Sequence, residues 1–324
     1  MLVSVIIPVY NGSRYLERLF FTFSKQTFKD FEIVFIDDCS TDNSYELLFS
    51  LKNKYSLTVQ ILQNDTNRGP GYSRNVAVQK AKGELLSFCD SDDFYEDNYL
   101  EKMTGEIINK KKDIVFCDYS YVYSDGTKKI VSFGDLNQKC KTKNDWIAFS
   151  QMSLCRIMTK REFFLLHPAP EIYHCEDAAV IPLVVSECET FAHICEPLYC
   201  YCLHKNSSSV GRPNKKVVDE ILQASRCISN SCSKEYHDSF EYVNIILVLY
   251  GGVLNAYKAG CESRDIKKIV SDFSSQYPQW RKNSYIRDLS VSKKIFLSFV
   301  EHKLWLLLKL YSKIHYLIVQ KKAD

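Results

Sequence analysis

Residues 85–93 join an apolar run, Leu85-Leu86-Ser87-Phe88-Cys89, to an acidic cluster, Asp90-Ser91-Asp92-Asp93. Such a run predicts a buried β-strand that ends in carboxylates. Alternate side chains of an extended segment share a face, so Asp90 and Asp92 should point one way and Asp93 the other. Asp and Ser also gather in ordinary turns, where they bond their own backbone. The neighbouring motifs therefore decide whether the cluster is a binding site or an ordinary turn.

The same arrangement occurs twice upstream. Val3–Val9 is nearly all apolar and leads into Tyr10-Asn11, and Phe31–Ile36 leads into Asp37-Asp38. A third, half-exposed strand is indicated by the alternation of Leu57, Val59 and Ile61. Helical spacing separates these strands, and the predicted helical segments are Tyr15 to Phe23, Leu47 to Leu51, and Ser73 to Lys82, the last after a break at Gly69-Pro70-Gly71.

Strand and helix alternate throughout the first hundred residues, a pattern that predicts an α/β fold. We expect a single, mostly parallel sheet flanked by helices, because right-handed crossovers place a helix between successive parallel strands. Ligands of such sheets bind beyond the carboxyl ends of the strands. The three polar clusters should therefore meet in one cleft.

Composition narrows the class of protein. The chain has 324 residues, with 42 Lys and Arg against 39 Asp and Glu, and this balance argues against a dedicated nucleic-acid binder. Hydrophobic residues make up 46% of the chain, so a packed core is expected. We predict a domain over residues 1–210, followed over residues 211–324 by a helical region with a basic amphipathic tail.

Thirteen cysteines and the lack of an apolar leader predict a cytoplasmic protein with buried thiols. Four of the cysteines and two histidines lie close together in sequence: Cys188, Cys195, Cys200, Cys202, His193 and His204. Zinc sites usually show paired short spacings such as C-x2-C. Cys200-x-Cys202 within an apolar, aromatic run favours a strand instead.

Carboxylates gathered at one sheet edge would repel a phosphate unless a divalent cation joined them. Mg2+ and Mn2+ take hard oxygen ligands, and Mg2+ typically uses one or two carboxylates together with substrate phosphates. An Asp-x-Asp strand end suits that role.

The motifs and their order resemble glycosyltransferase family 2, whose members are inverting enzymes that use nucleotide sugars. The resemblance is dense over residues 1–110 and thinner to residue 210. Its carriers are the opening Val5-Ile6-Ile7-Pro8-Val9-Tyr10-Asn11, the strand that ends in Asp37-Asp38-Cys39-Ser40-Thr41-Asp42, Asn67-Arg68-Gly69, Ser73-Arg74-Asn75, Lys82-Gly83-Glu84, and Asp90-Ser91-Asp92-Asp93.

The resemblance implies a GT-A-type nucleotide-sugar domain and a role for each matching residue. Pro8 and Tyr10 would line the nucleotide pocket, and Asp38 would bond the base, most often uracil. Arg74 would lie near the nucleotide and hold it or the carboxylates of the cleft. Asp90 would contact the ribose, and Asp92 would bind Mn2+ or Mg2+ on the diphosphate. Helix capping is the alternative for Asp37 and Asp38.

The catalytic half is marked by Glu176-Asp177, at the start of a helical segment. Inverting transfer requires a base that removes the acceptor's hydroxyl proton. The resemblance implies Asp177 as that base, with Glu176 orienting the acceptor or its loop. Acidic residues are also favoured in the first turn of any helix by the helix dipole.

Two positions depart from the family's pattern. Cys202 stands where the family usually has a basic residue, so we expect His204 or Lys205 to stabilise the leaving group. Arg156 stands on the acceptor side, where Lys is common.

The last segment is apolar but interrupted by Lys303, Lys309 and Lys313, too often for a membrane span. Residues 291–324 hold seven Lys and two acids, a net charge of 7 − 2 = +5. A basic, Trp-bearing amphipathic helix can lie peripherally on the inner face of the plasma membrane, or it can pack on its own domain or in a homo-oligomer.

We therefore predict a metal-dependent glycosyltransferase. The resemblance implies a nucleotide-diphospho-sugar donor, with a UDP-sugar expected first, and a glycan or a lipid-linked glycan of the bacterial surface as the acceptor. The alternatives are a catalytically silent nucleotide-sugar-binding relative and a membrane scaffold that keeps the fold.

Overall fold

The computed structural model describes residues 1–150, 153–204 and 213–323, with side chains up to residue 318. The chain divides into two compact units, Met1–Leu203 and His204–Asp324. The predicted functional boundary near residue 210 stays a prediction.

The first unit is built on one sheet. Within the described residues it has nine strands in the order β3-β2-β1-β4-β8-β6-β9-β5, with β7 beside β6. The strands are β1 Val3–Val9, β2 Phe31–Asp37, β3 Val59–Gln63, β4 Leu85–Phe88, β5 Phe94–Tyr95, β6 Ile114–Val122, β7 Lys128–Val131, β8 Ile157–Lys160 and β9 Phe191–Cys202.

The sheet is mostly parallel, as predicted. Strands β1 to β4 pair in parallel, and so do β6 and β9. Strand β8 runs antiparallel to both β4 and β6, so those two groups share one direction, and only β5, β7 and β8 are reversed. This confirms the α/β fold class.

The helices of this unit bury apolar side chains, and the longer ones do so along a stripe. In α1 the stripe is Leu16, Leu19, Phe20 and Phe23, all buried. The helices of this unit are α1 Ser13–Lys25, α2 Ser44–Lys54, α3 Pro70–Lys80, α4 Tyr99–Asn109, α5 Leu136–Lys139, α6 Lys143–Phe149, α7 Arg161–Leu166 and α8 Glu176–Glu187, with a 3-10 turn at Leu154–Arg156.

Helix α3 begins at Pro70, three residues before the predicted start at Ser73. Proline is tolerated in the first turn because the amide hydrogens there have no partner within the helix. The Gly-Pro-Gly sequence therefore opens the helix rather than preceding it. Gly69 has φ +85°, in the left-handed region that favours glycine.

The second unit is helical in its described residues, as predicted for this region. Its α-helices are α9 Lys215–Ser231, α10 His237–Asn244, α11 Val253–Ala259, α12 Ser263–Gln276, α13 Val291–Glu301 and α14 Trp305–Ala323. A π-helical segment, Ile245–Gly252, joins α10 to α11, and short 3-10 turns cover Lys234–Tyr236, Trp280–Lys282 and Ser284–Asp288.

Within the described residues, one helical segment, Lys234–Ala259, is long and apolar enough to cross a membrane by length and composition. The most apolar 18 consecutive residues of this segment are 78% buried inside the protein. A core helix commonly passes the same test, so this segment is weak evidence for a membrane span.

Candidate functional site

The carboxyl ends of β1, β2 and β4 lie side by side. In the parallel register Pro8 faces Ile36, and Ile6 faces Phe88. The Asp38 amide donates to the Val9 carbonyl at 2.8 Å, which carries the pairing one residue beyond the strands. The predicted polar clusters therefore come together at one sheet edge, where Pro8 is half-buried and Tyr10 is 49% exposed.

Asp38 organises the loop that precedes α3. It is buried, and its carboxylate accepts hydrogen bonds from the Asn64 side chain at 2.8 Å, the Arg68 amide at 3.0 Å and the Gly69 amide at 2.7 Å. Asp37 accepts from the Ser40 amide at 3.0 Å. Neither residue occupies the N-cap of α2, which is Asn43. The predicted role of Asp38 toward a base stays a prediction.

The three acids after β4 divide between two directions. Asp93 is buried, and its carboxylate accepts from the Tyr199 hydroxyl and, at 2.7 Å, from the Cys202 amide. The Asp90 side chain is 38% exposed. Burial raises the pKa of Asp93 well above its ordinary value, and the charges of Asp92 and Asp90 raise it further. Asp93 therefore ties the strand end to β9 and is not open to a ligand as Asp90 is.

Arg74 joins the two halves of the predicted site. Its guanidinium is buried and donates to Asp90 at 2.7 Å and to Glu176 at 2.6 Å. A third carboxylate, Asp177, lies 3.6 Å from the same guanidinium. Burial acts to lower the pKa of Arg74, but the three carboxylates outweigh it and raise the pKa well above its ordinary value. A permanent cation thus sits among three acids that come from two distant parts of the chain.

One oxygen of Asp177 accepts a hydrogen bond, and the other, Oδ1, is the one that lies 3.6 Å from Arg74. Oδ2 accepts a hydrogen bond from the Leu154 amide at 3.0 Å, whereas Oδ1 is buried with no hydrogen-bond partner. Burial raises the pKa of Asp177 to about 7, and Glu176 and Asp90 add to this rise while Arg74 opposes it. A carboxylate with a pKa near 7 can both lose and accept a proton at neutral pH, as general base catalysis requires.

Helix α3 is held close to the segment before α8, which brings Arg74 to Glu176. Asn75 exchanges two hydrogen bonds with the backbone of Ala169, at 2.8 and 2.9 Å. A Cβ on Gly71 would lie 2.4 Å from the carbonyl oxygen of Pro170. Only glycine fits here without a shift of the backbone.

We expect Gly71→Ala to destabilise the protein by on the order of 1–3 kcal/mol, because the added methyl group forces α3 away from Pro170. It should also move Arg74 away from Glu176, since Arg74 moves with the helix. Gly105→Ala in α4 is the matched control: its nearest contact is 3.8 Å away, so it should stabilise by about 0.4–1 kcal/mol. Urea denaturation of both variants checks this, and equal stability of G71A and the wild type would contradict it.

The structure describes only some of the residues near which the leaving group is expected to bind. Cys202 is buried, with its amide bound to Asp93. His204 is the first residue of the second unit, and Lys205 lies outside the described residues. Their roles stay predictions.

Arg18 on α1 was not predicted, although its guanidinium lies beside Cys202. It donates to the backbone carbonyl of Asp92 and lies over the Phe94 ring at 5.3 Å. Burial raises the pKa of the Cys202 thiol to about 12, and Arg18 acts against this rise. Among the described residues Arg18 has no carboxylate partner. No local sequence signal marks it, because its hydrogen-bond partners, Asp92 and Cys202, lie 74 or more positions away.

Arg156, predicted on the acceptor side, is buried with its guanidinium 4.4 Å from the centre of the Phe133 ring and 5.0 Å from that of Tyr119. It follows Leu154, whose amide holds Asp177, in the same 3-10 turn. Arg156 is therefore connected to Asp177 through the backbone of that turn.

The carboxylates at the end of β4 suit a hard divalent cation. The charges of Asp92 and Asp90 add to the effect of burial in raising the pKa of Asp93, and a divalent cation would offset the repulsion among these carboxylates. Their oxygen donors match Mg2+ and Mn2+. Of the three, Asp90 and Asp92 are the partly exposed ones.

Known proteins resemble both the sequence and the fold. The family model described as Glycosyl transferase family 2 matches residues 4–163. An uncharacterized glycosyltransferase of Haemophilus influenzae is 32% identical over 182 residues, which are 55% of this chain and 69% of that protein.

The poly(ribitol-phosphate) β-N-acetylglucosaminyltransferase TarS of Staphylococcus aureus is 38% identical over 117 residues, 36% of this chain but only 20% of TarS. The crystal structure of S. aureus TarS 1–349 with UDP-GlcNAc matches with a TM-score of 0.71 at 20% identity, covering 97% of this chain and 91% of that one. A Pyrobaculum calidifontis mannosyltransferase with GDP-Man and Mn2+ matches with a TM-score of 0.58 at 14% identity, covering 98% and 86%.

Proposed function

The chain belongs to glycosyltransferase family 2 and is a glycosyltransferase, and we propose that it transfers a sugar with inversion from a UDP-sugar to a hydroxyl of a bacterial surface glycan or its lipid-linked precursor. One observation carries the proposal: buried Arg74 bonds Asp90, on the donor side, and Glu176, beside the candidate base. The UDP and surface-glycan parts draw support from TarS, a relative whose name specifies an N-acetylglucosaminyl transfer to poly(ribitol-phosphate) and which has been crystallised with UDP-GlcNAc.

The donor would lie beyond the ends of β1, β2 and β4, where Pro8, Tyr10 and Asp38 surround the nucleotide. Asp90 would face the ribose. Asp92, with Asp90 beside it, would hold Mg2+ or Mn2+, and the bound ion would neutralise charge on the diphosphate. The manganese-bound P. calidifontis enzyme supports a divalent ion in this fold.

Asp177 would act as the base. Because Oδ2 is engaged by the Leu154 amide, Oδ1 is the atom that takes the proton. As the acceptor oxygen bonds to the anomeric carbon, its proton passes to Oδ1 and the bond to the diphosphate breaks. The electron pair of that bond leaves with the nucleoside diphosphate. Glu176 is fixed by Arg74 and would orient the acceptor or its loop.

Arg18 would stabilise the departing diphosphate where Cys202 provides no charge. It lies against the backbone of Asp92, and no carboxylate neutralises it among the described residues. Arg74, in contrast, is already surrounded by three acids. A cation free of carboxylates is the better partner for a leaving diphosphate.

Arg18→Gln should lower kcat on the order of 10²-fold, the usual cost of losing one charge-stabilising donor. It should weaken UDP binding but leave uridine binding unchanged, because only the phosphates face the guanidinium. Arg14→Gln is the matched control, since Arg14 is exposed one turn earlier on α1. Isothermal titration with UDP and uridine checks this, and equal loss of both ligands, or no loss in kcat, would contradict it.

The donor can be identified without knowing the acceptor. We expect one member of a nucleotide-sugar panel, tested with Mn2+ present, to raise the melting temperature of the protein, because a ligand that binds the native state stabilises it. UDP-GlcNAc and other UDP-sugars are the first candidates. If no nucleotide-diphospho-sugar raises the melting temperature, the proposed function is wrong.

Peripheral binding to an anionic membrane is proposed for α14. Its exposed apolar side chains include Leu306 at 84%, Leu310 at 54% and Leu317 at 54%, and the exposed Lys309 and Lys313 lie among them. Such a surface suits an anionic bilayer, where each Lys contributes about 1 kcal/mol.

Removal of residues 305–324 should abolish sedimentation with anionic liposomes. Unchanged sedimentation, or a change in oligomeric state alone, would favour a protein partner.

A further inference from the structure

We propose that Asp135, His193 and Cys195 bind a divalent metal ion of the zinc class, at a second site apart from the carboxylates that follow β4. One ligand atom from each residue lies within 4.8 Å of the other two. The site rests on these contacts and does not depend on the proposed sugar transfer.

The orientation of His193 is fixed by its neighbours. Nε2 lies 3.1 Å from the Asp118 carboxylate, which can only accept, and Nδ1 lies 3.4 Å from the Leu136 amide, which can only donate. The proton is therefore on Nε2, and the lone pair of Nδ1, which accepts only a long hydrogen bond from the Leu136 amide, would turn from that amide to the metal ion. A carboxylate on the far nitrogen of a histidine is the usual outer partner of a metal-binding imidazole. Both side chains are almost wholly buried, so this pair is rigid.

Cys195 is brought to the same point by an irregularity in β9. In the pairing of β6 with β9, Cys117 faces Ile194 and Asp118 faces Pro197, so Cys195 and Glu196 bulge from the strand. A bulge redirects side chains. The Cys195 sulfur lies 3.5 Å from His193 Nδ1. In tetrahedral coordination, Zn–S of about 2.3 Å and Zn–N of about 2.0–2.1 Å separate the two ligand atoms by about 3.5 Å.

Asp135 supplies the third ligand from a different part of the chain. It is the N-cap residue of α5, and its Oδ1 accepts from the Asn137 amide at 2.9 Å. A Cys, His and carboxylate set suits zinc better than Mg2+. Because Cys195 is exposed, a metal ion can enter and a water can complete the four ligands.

The ion would tie the residues between β7 and α5 to strand β9. Phe133, which lies against the Arg156 guanidinium, belongs to this segment. The site would therefore stabilise the segment that packs against Arg156.

The test uses Co2+ as a spectroscopic stand-in for zinc, added to the full chain with Mg2+ in excess to occupy the strand-end carboxylates. We expect one Co2+ per chain, with a thiolate-to-cobalt absorption band and a raised melting temperature. Cys195→Ser should abolish the band, and Asp135→Asn should weaken binding at least about tenfold. Cys261→Ser, which removes a partly exposed thiol of the second unit, should change nothing.

Cys195 is exposed and Asp135 is half-buried, so both variants should fold, and melting without metal verifies this. The proposal is overturned if the wild type binds no Co2+, or if C195S binds it with the same band and affinity. Failure here would leave nucleotide-sugar binding unaffected, so the two proposals fail separately.

Discussion

Asp177→Asn should reduce the rate of sugar transfer by about 10²- to 10⁴-fold, the range contributed by a positioned general base. Asparagine keeps the shape of the side chain, and its carbonyl oxygen can still accept from the Leu154 amide. It cannot take up a proton at the position of Oδ1. Donor affinity should remain nearly unchanged, because the nucleotide is proposed to bind at the strand ends. Steady-state rates and UDP-sugar titration of the same preparation check both parts.

The stability of this variant provides the control. The pKa of Asp177 is raised by burial to about 7 from an ordinary value of 3.8. The unfolded chain therefore releases the proton at lower pH than the folded chain, so this group costs stability as the pH rises from about 4 to 7. Asp177→Asn should be more stable than the wild type at pH 8, and the difference should shrink toward pH 4. A variant that lost activity because it unfolded would show the opposite.

Arg74→Gln should have the largest effect on stability, a loss of about 3–5 kcal/mol at pH 8, because it leaves buried carboxylates without their cation. Asp90, Glu176 and Asp177 would then repel one another, and the pKa values of Glu176 and Asp177, which burial already raises, would rise further. The rate of sugar transfer should fall as well, because a protonated Asp177 cannot act as a base. The loss of stability should diminish as the pH falls and the acids become protonated. Denaturation at pH 8 and pH 5 measures the difference.

Arg74→Lys and Arg281→Gln are the comparisons. Lys keeps the charge but has a single nitrogen, so it cannot place one nitrogen at Asp90 and another at Glu176 as the guanidinium does. The loss of stability in Arg74→Lys should therefore be intermediate. Arg281 forms an exposed ion pair with Glu301 at 3.1 Å, so its removal should cost less than about 1 kcal/mol. If Arg74→Gln were no more harmful than Arg281→Gln, the acid cluster would not depend on Arg74.

The strands of the donor half could be predicted because each is a short apolar run that ends in a polar cluster. Val3–Val9 is observed with the predicted bounds, since all but one of its residues are buried and a turn follows. The strand alternation predicted for Asp90 to Asp93 does not apply, because β4 ends at Phe88 and a turn follows, in which the Asp93 amide donates to the Asp90 carbonyl at 3.1 Å. The start of α3 was misplaced because Pro70 can open a helix as well as prevent one.

The ion pairs that define the site could not be predicted from local patterns. Arg74 and Glu176 are 102 positions apart, and only the packing of α3 against the segment before α8 brings them together. The spacing of the cysteines predicted a strand at Cys200 and Cys202 rather than a zinc site, and both residues lie in β9. It did not bring Asp135 into consideration, because Asp135 lies 58 residues before His193 and approaches it only in the folded chain.

The pH dependence of kcat/KM for the acceptor, measured at saturating donor, tests most directly whether Asp177 is the base. Because only the ionised carboxylate takes up a proton, the rate should be constant above the pKa and fall tenfold per pH unit below it, with a midpoint near pH 7. A profile that stays flat from pH 8 down to pH 5 would show that no group with this pKa removes the acceptor's proton, and would contradict the proposed role of Asp177.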